Sequence, residues 1–179
     1  MLIKILLALA LLVVVIAIVA AFQSPTYRVV RTTAVAASPA KVFAHTNDLH
    51  SYQTWNPFGK SDPAAKYFHE GPATGVGSVL KWSSTGQTGE GTMTNVESRP
   101  NELVRYRLVF LKPMAGTGDM TFTMQPQGNQ TQVTWTMEGD KVYLAKLMGL
   151  FMSMDKMIGG AFERGLVELK TIVEKEAKH

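Results

Sequence analysis

Cysteine is missing from all 179 residues, which excludes a disulfide staple, a thiolate metal site and a thiol nucleophile. Phosphate-binding signatures are missing from the two glycine-bearing stretches, Gly71–Gly77 and Gly86–Gly91. Neither carries Gly-Lys-Ser/Thr or opens a helix, and both read as hairpin turns between strands. No G-x-S-x-G nucleophile elbow occurs. Charge is sparse: Asp, Glu, Lys and Arg make up 18% of the chain, and its formal charge of +4 is scattered rather than clustered. A nucleic-acid partner is therefore not expected. His45, Asp48 and His50 lie close together, but His45 and His50 are five apart across an expected helix cap, and no third His or Cys supports them. No metal and no cofactor is expected, and no catalytic residue is assigned.

Against this background one feature stands out. Eighteen apolar residues run without a break from Ile5 to Phe22. As a helix rising ~1.5 Å per residue they span ~27 Å, about one hydrocarbon core. Lys4 and the α-amino group form a small positive region before the run, as in a secretory signal, and Val19-Ala20-Ala21 has the small side chains of a cleavage site. The run exceeds the ~7–15 residues of a signal core, so residues 2–22 are expected to remain as one membrane-spanning helix. Arg28, Arg31 and Lys41 after the span favour a cytoplasmic domain, whereas a first hydrophobic segment usually exports the chain behind it. The expectation is a single-pass protein with an extracytoplasmic domain. It divides into an anchor and short linker, 1–26, and one domain, 27–179, large enough for a sizeable core.

Residues 27–36 read as a strand. Ser38-Pro39 announces a helix, and Asp48 caps a second short one that stops before Asn56-Pro57. Six further strands are expected: 66–70, 78–83, 91–98, 103–111, one carrying Met120, Phe122 and Met124, and one carrying Val133, Trp135 and Met137. One-sided alternation with tight hairpins predicts an antiparallel sheet with one buried face, on which Tyr106, Leu108, Phe110, Phe122, Met124, Trp135 and Met137 meet the last helix. Trp55 and Trp82 are expected to be reachable by solvent. In strand 91–98 the alternation is ambiguous: Met93, Asn95 and Glu97 share one face, and if Met93 points inward the other two become polar groups at the interior wall. From Val142 to about Glu176 the pattern is helical, with Leu147, Phe151, Ile158, Phe162, Leu169 and Val173 on one face. Gly159, Gly160 and Gly165 interrupt it, each at about 1 kcal/mol relative to alanine. A bulky residue at Gly159 or Gly160 is expected to narrow any pocket beneath the helix or to push the helix off the sheet.

One strand, two short helices, six antiparallel strands and a long last helix is a helix-grip order. The chain resembles the START-like (SRPBCC) superfamily, close to proteins labelled polyketide cyclase/dehydrase-like. The residues that carry the resemblance are Ser38-Pro39-Ala40-Lys41-Val42-Phe43, Asn47-Asp48-Leu49, Trp55-Asn56-Pro57, Gly71-Pro72-Ala73 with Gly75-Val76-Gly77 and Trp82, and Gly89-Glu90-Gly91-Thr92-Met93. To these add Val133-Thr134-Trp135 and the late run Gly159 to Leu166. The resemblance implies an α+β helix-grip fold, with a curved antiparallel sheet around a long C-terminal helix, here preceded by a transmembrane helix. It also implies a cavity between sheet and helix.

Nine methionines beyond Met1 fall on both sheet and helix, as suits an adaptable apolar pocket. The expected wall is Trp82, Phe122, Trp135, Met137, Phe151 and Phe162. The leading expectation is a membrane-tethered carrier of a hydrophobic small molecule or lipid. A cyclase- or dehydratase-type enzyme in the same cavity, and an envelope interaction scaffold without ligand, are the alternatives. An acid or base inside the cavity would mark the enzyme, and a filled core the scaffold.

Overall fold

The computed structural model of the chain describes residues 1–86, 88–141, 146, 149 and 153–177. Helix α1 covers Leu2–Ala21, and its 20 residues match the expected span to within one residue. At ~1.5 Å per residue it is ~30 Å long. With a mean hydropathy of 3.3 it has the length and composition of a membrane span or of a signal sequence. Within it Ala20 is buried and Ile16 and Ala17 are half-buried. The linker is short and fastened: Lys141 donates its backbone N–H to Pro25 O at 2.7 Å.

Seven strands form one antiparallel sheet in the order β1-β7-β6-β5-β4-β3-β2. They are β1 (Thr26–Val35), β2 (Lys66–Glu70), β3 (Val79–Ser83), β4 (Glu90–Arg99), β5 (Leu103–Lys112), β6 (Gly116–Gln127) and β7 (Gln130–Asp140). The sheet curves around the last helix, giving the expected α+β helix-grip architecture. Between β1 and β2 lie α2 (Pro39–Asn47), α3 (Leu49–Trp55) and a further short helix, α4 (Pro57–Ser61). Helix α3 starts where the Asp48 carboxylate accepts from the backbone N–H groups of His50 and Ser51. The same device starts α4. Asn56 accepts from Phe58 N and Pro57 occupies the first turn, so the Asn-Pro pair that closes α3 also opens α4.

The strand alternation is realised across the sheet's inner face. Val104, Tyr106, Leu108, Met120, Phe122, Met124, Val133, Trp135 and Met137 are buried, while Phe110 is half-buried and packs on the core edge. Strand β4 departs from simple alternation. Asn95 pairs with Tyr106 but Glu97 pairs with Arg105, so Val96 is a bulge residue. The bulge reverses the parity. Met93 and Asn95 point inward, whereas Glu97 turns outward to Arg105 (2.5 Å) and Arg99 (3.3 Å). Glu97 is therefore a surface ion-pair partner and not an interior acid.

The last helix, α5, covers Met154–Ala177. Ser153 is not helical and accepts from Lys156 N through its side chain, so one uninterrupted helix from 142 is not what forms. Leu147 and Phe151 lie outside the described residues. Phe162, Leu166, Leu169 and Val173 form the buried stripe, with Ile158 half-buried. Helix α5 packs mainly along β1. Its three glycines differ sharply. A Cβ on Gly165 would lie 2.7 Å from Trp135 Cζ3 and 3.0 Å from Pro57 Cδ, and one on Gly159 would collide with the Arg31 guanidinium. Gly160 is exposed, and a Cβ there would meet only the end of Arg164 at 3.6 Å. A bulky side chain at Gly160 therefore points into water, and the close approach of helix to sheet rests on Gly165.

Candidate functional site

Trp135 stands at the centre of the space between sheet and α5. Its indole stacks on Phe162 with ring centroids 4.1 Å apart and planes 8° apart. Phe122 lies 5.1 Å away and Trp55 packs edge-on at 5.7 Å. Tyr52 touches both Trp55 (4.9 Å) and Phe122 (6.5 Å). Trp55 is fully buried, with Nε1 donating to His45 O at 3.3 Å, so the expectation of a solvent-reachable Trp55 is corrected. Trp135 Nε1 is buried with no hydrogen-bond partner among the described residues. A buried indole N–H without an acceptor costs about 1–3 kcal/mol, so this donor is a marked position within an apolar wall.

Of the six expected wall residues, Phe122, Trp135 and Phe162 meet in this cluster, and Met137 is buried on the same strand two residues from Trp135. Phe151 lies outside the described residues. Trp82 stands apart on β3, edge-on to Phe110 at 5.9 Å, with its ring over Gly91 and its Nε1 donating to Thr88 O.

Polar side chains close the interior at the end remote from α1. Tyr106 donates to Thr46 O at 2.6 Å, and Asn47 Oδ1 accepts from Asn95 and Ser98. Thr131 donates to Ala37 O. Burial holds the Tyr52 and Tyr106 phenols far above their ordinary range, which makes them fixed donors rather than acids near neutrality. The C-terminal turn of α5 is clasped there too: His45 bonds Ser51 at 2.6 Å and Glu176 at 2.8 Å, while Lys41 donates to Glu176 O. The end beside α1 is different. Its inner face carries Tyr27, Trp82, Phe110, Met154 and Ile158, all only half-buried against the core. Arg31 fixes the first turns of α5 to β1, at 2.6 Å from Glu163 and 2.7 Å from Asp155.

Two groupings have no signature in the sequence. His69, remote from His50 in the chain, stacks on it with centroids 3.7 Å apart and planes 9° apart. Burial and the neighbouring His50 hold His69 below its ordinary pKa. Asp62, which follows α4, is buried against the β3–β4 turn, where hydrogen bonds from the Thr88 hydroxyl and N–H lower its pKa. It is the only carboxylate among the buried described residues, and it is committed to that turn. Alternation within a strand or helix cannot report such pairings, because each joins separate elements.

Among the described residues, concavities open at two places on the surface that the strands help to line. One, of about 280 Å³, lies between Ala37–Pro39 and Pro126–Gln130. The other, of about 350 Å³, lies on the outer face of the sheet beside the linker and is lined by residues of β1, β5, β6 and β7.

A family model described as polyketide cyclase / dehydrase and lipid transport matches residues 26–174. No curated protein matches the chain. Among solved structures, a norcoclaurine synthase point mutant of Thalictrum flavum, in complex with a transition state analogue, is 14% identical with a TM-score of 0.62. It is matched over 86% of this chain and 98% of its own. A protein of Chromobacterium violaceum is 19% identical with a TM-score of 0.59, over 84% and 99%. The Aha1 dimer of Colwellia psychrerythraea is 20% identical with a TM-score of 0.56, over 83% and 96%. At these identities the likeness is one of fold.

Proposed function

Since the chain belongs to the polyketide cyclase / dehydrase and lipid transport family, we propose that it is a membrane-tethered carrier. It holds one hydrophobic molecule, a lipid or isoprenoid-like compound, between the sheet and α5. The observation that carries this reading is the unequal closure of the apolar interior. At the end remote from α1 buried hydrogen bonds close the interior and only Phe43 and Ile172 are half-buried, while beside α1 Tyr27, Trp82, Phe110, Met154 and Ile158 remain half-buried. An apolar molecule leaving a bilayer meets that end first. Burial of its surface contributes about 2.5 kcal/mol per 100 Å². Phe122, Trp135, Met137 and Phe162 form the wall, Trp82 stands at its end beside α1, and the unpaired Trp135 N–H selects ligands with one hydroxyl or carbonyl acceptor. Helix α1 is the tether, and the domain is extracytoplasmic.

Native mass spectrometry of the full chain released from detergent tests the carrier. A co-purified lipid-mass adduct, diminished in Trp135→Phe, is expected. Absence of any adduct together with no binding of an apolar dye would remove it. Carbonate extraction tests the tether, with recovery in the soluble fraction as the contrary result. The interaction-scaffold reading is favoured by one observation, the close Trp135–Phe162 stack, which leaves those two rings in direct contact.

A further inference from the structure

Strand β2 pairs with β3 on one side only. Among the described residues, nothing bonds to its main chain from the other side. No proline and no bulge interrupts it. Its inner side is fixed: Tyr67 packs on the core, and His69 is held by Gln53 at 3.1 Å and by the His50 ring. Lys66, Phe68 and Glu70 alternate with these two and are exposed. Phe68 is 56% exposed, a large apolar side chain on an open margin.

The order Lys66-Tyr67-Phe68-His69-Glu70 is self-complementary. Turned end for end about Phe68, it sets Lys66 opposite Glu70, Tyr67 opposite His69 and Phe68 opposite itself. Each residue then meets one of its own parity, so outward-pointing N–H and C=O groups meet outward-pointing ones. Opposite charges and aromatic pairs are the contacts that stabilise neighbouring strands. A shift of two residues either way breaks both charge pairs, so the register is specified. Lys66 has no ion-pair partner among the described residues. Glu70 meets Lys81 through Oε1 at 2.7 Å, and a carboxylate accepts from a second ammonium through its other oxygen.

We propose that β2 joins the β2 of a second copy of this chain, antiparallel and in the register centred on Phe68. Five opposed pairs make a small contact. Confinement of both copies to one membrane raises their effective concentration, and this part rests on the tether proposed above.

The chain has no cysteine, so each introduced thiol reports its own position. Single-cysteine variants of the full chain are oxidised in membranes with copper phenanthroline. Phe68→Cys gives a disulfide-linked dimer, because the residue lies opposite its own counterpart. Lys66→Cys alone and Glu70→Cys alone do not, since like positions stand four residues apart along the strands, ~14 Å, beyond the ~7 Å that a disulfide spans between Cα atoms. Expressed together, those two variants link to each other. Lys66→Glu slows the Phe68→Cys cross-link about tenfold, and a partner carrying Glu70→Lys with Phe68→Cys restores it. Failure of both the Phe68→Cys link and the mixed Lys66→Cys with Glu70→Cys link overturns the proposal. So does Lys66→Cys linking to itself as fast as Phe68→Cys, which would mark random collision or association through α1. Carbonate extraction of the same membranes reads the tether separately, and the pattern of cross-links decides the pairing whichever fraction holds the chain.

Discussion

The two ends of the helix-grip domain are built to different standards. At the end remote from α1, the last turns of α5 are held by His45, Lys41 and Lys170, whose ammonium donates to Ala34 O at 2.6 Å. The inner face below is closed by the Tyr106–Thr46 and Asn47–Asn95–Ser98 bonds. At the end beside α1, apolar side chains meet without full burial, and the polar attachment of α5 comes from Arg31 alone among the described residues. Phe43 and Ile172 are half-buried at the far end as well, so the ends differ chiefly in their hydrogen bonds. The difference assigns rigidity to one end and adaptability to the other, as expected where binding elements are drawn from the less stable part of a structure.

The largest effect that tests this contrast comes from paired truncations in α5. Leu169→Ala, at a fully buried position, is expected to cost about 3 kcal/mol, and Ile158→Ala, half-buried near Arg31, about 1 kcal/mol. Urea melts of the two variants decide it, and equal costs would abolish the distinction between the ends. Next comes Gly165→Val. Its side chain must displace Trp135 or Pro57, which is expected to cost about 2 kcal/mol and to expose Trp135 to acrylamide quenching. A protected Trp135 in a folded variant would mean that α5 approaches the sheet less closely than described. Gly160→Ala works in the opposite direction. The site is exposed and spacious, so helix propensity alone acts, raising stability by about 0.5–1 kcal/mol with dye binding unaltered. Thermal melts with and without dye check both parts.

The smallest effect concerns His69. Its folded pKa is lowered, so the contribution is intact above the unfolded value of about 6.5 and declines as pH falls from there through the folded value. His50 stacked on the ring and the burial of His69 set this direction, while the nearby Asp48 opposes it and Gln53 holds Nε2 at 3.1 Å. Between pH 7 and 5 the melting temperature should fall more in the wild type than in His69→Gln. Parallel curves would show that the histidine stack does not titrate with folding.

Much of the fold was legible because alternation in 103–111, around Phe122 and around Trp135 reports burial directly, and Pro39 in the first turn of α2 and the Asp48 cap of α3 start helices by local chemistry, while Ser38 precedes α2 without a side-chain cap bond. Helix α4 was legible in principle, since Asn56 and Pro57 are a cap and a first-turn proline, but they also close α3 and were read only in that sense. The inward turn of Asn95 without Glu97 depends on the Val96 bulge, which strand pairing creates and no side-chain pattern records. Within the site, Phe122, Trp135 and Phe162 were readable as one wall. The burial of Trp55 was not, because α3 has to fold back onto β7 before its ring meets Trp135. Likewise, which of Gly159, Gly160 and Gly165 touches the sheet depends on the angular phase of α5, and that phase is fixed by packing.

One feature of α5 bears on how copies of this chain can join. Along the open margin of β1, Val30 O accepts from Arg31, Ala34 O from Lys170, and Ala36 N donates to Glu174. These side chains occupy positions that a further strand would use. The opposite margin, β2, is five residues long and has no strand beyond it among the described residues. Strand addition is thus available on one side alone. Two copies meeting margin to margin would use the same strand twice and leave no open edge, so growth by this route stops at a closed pair and cannot propagate into a fibre.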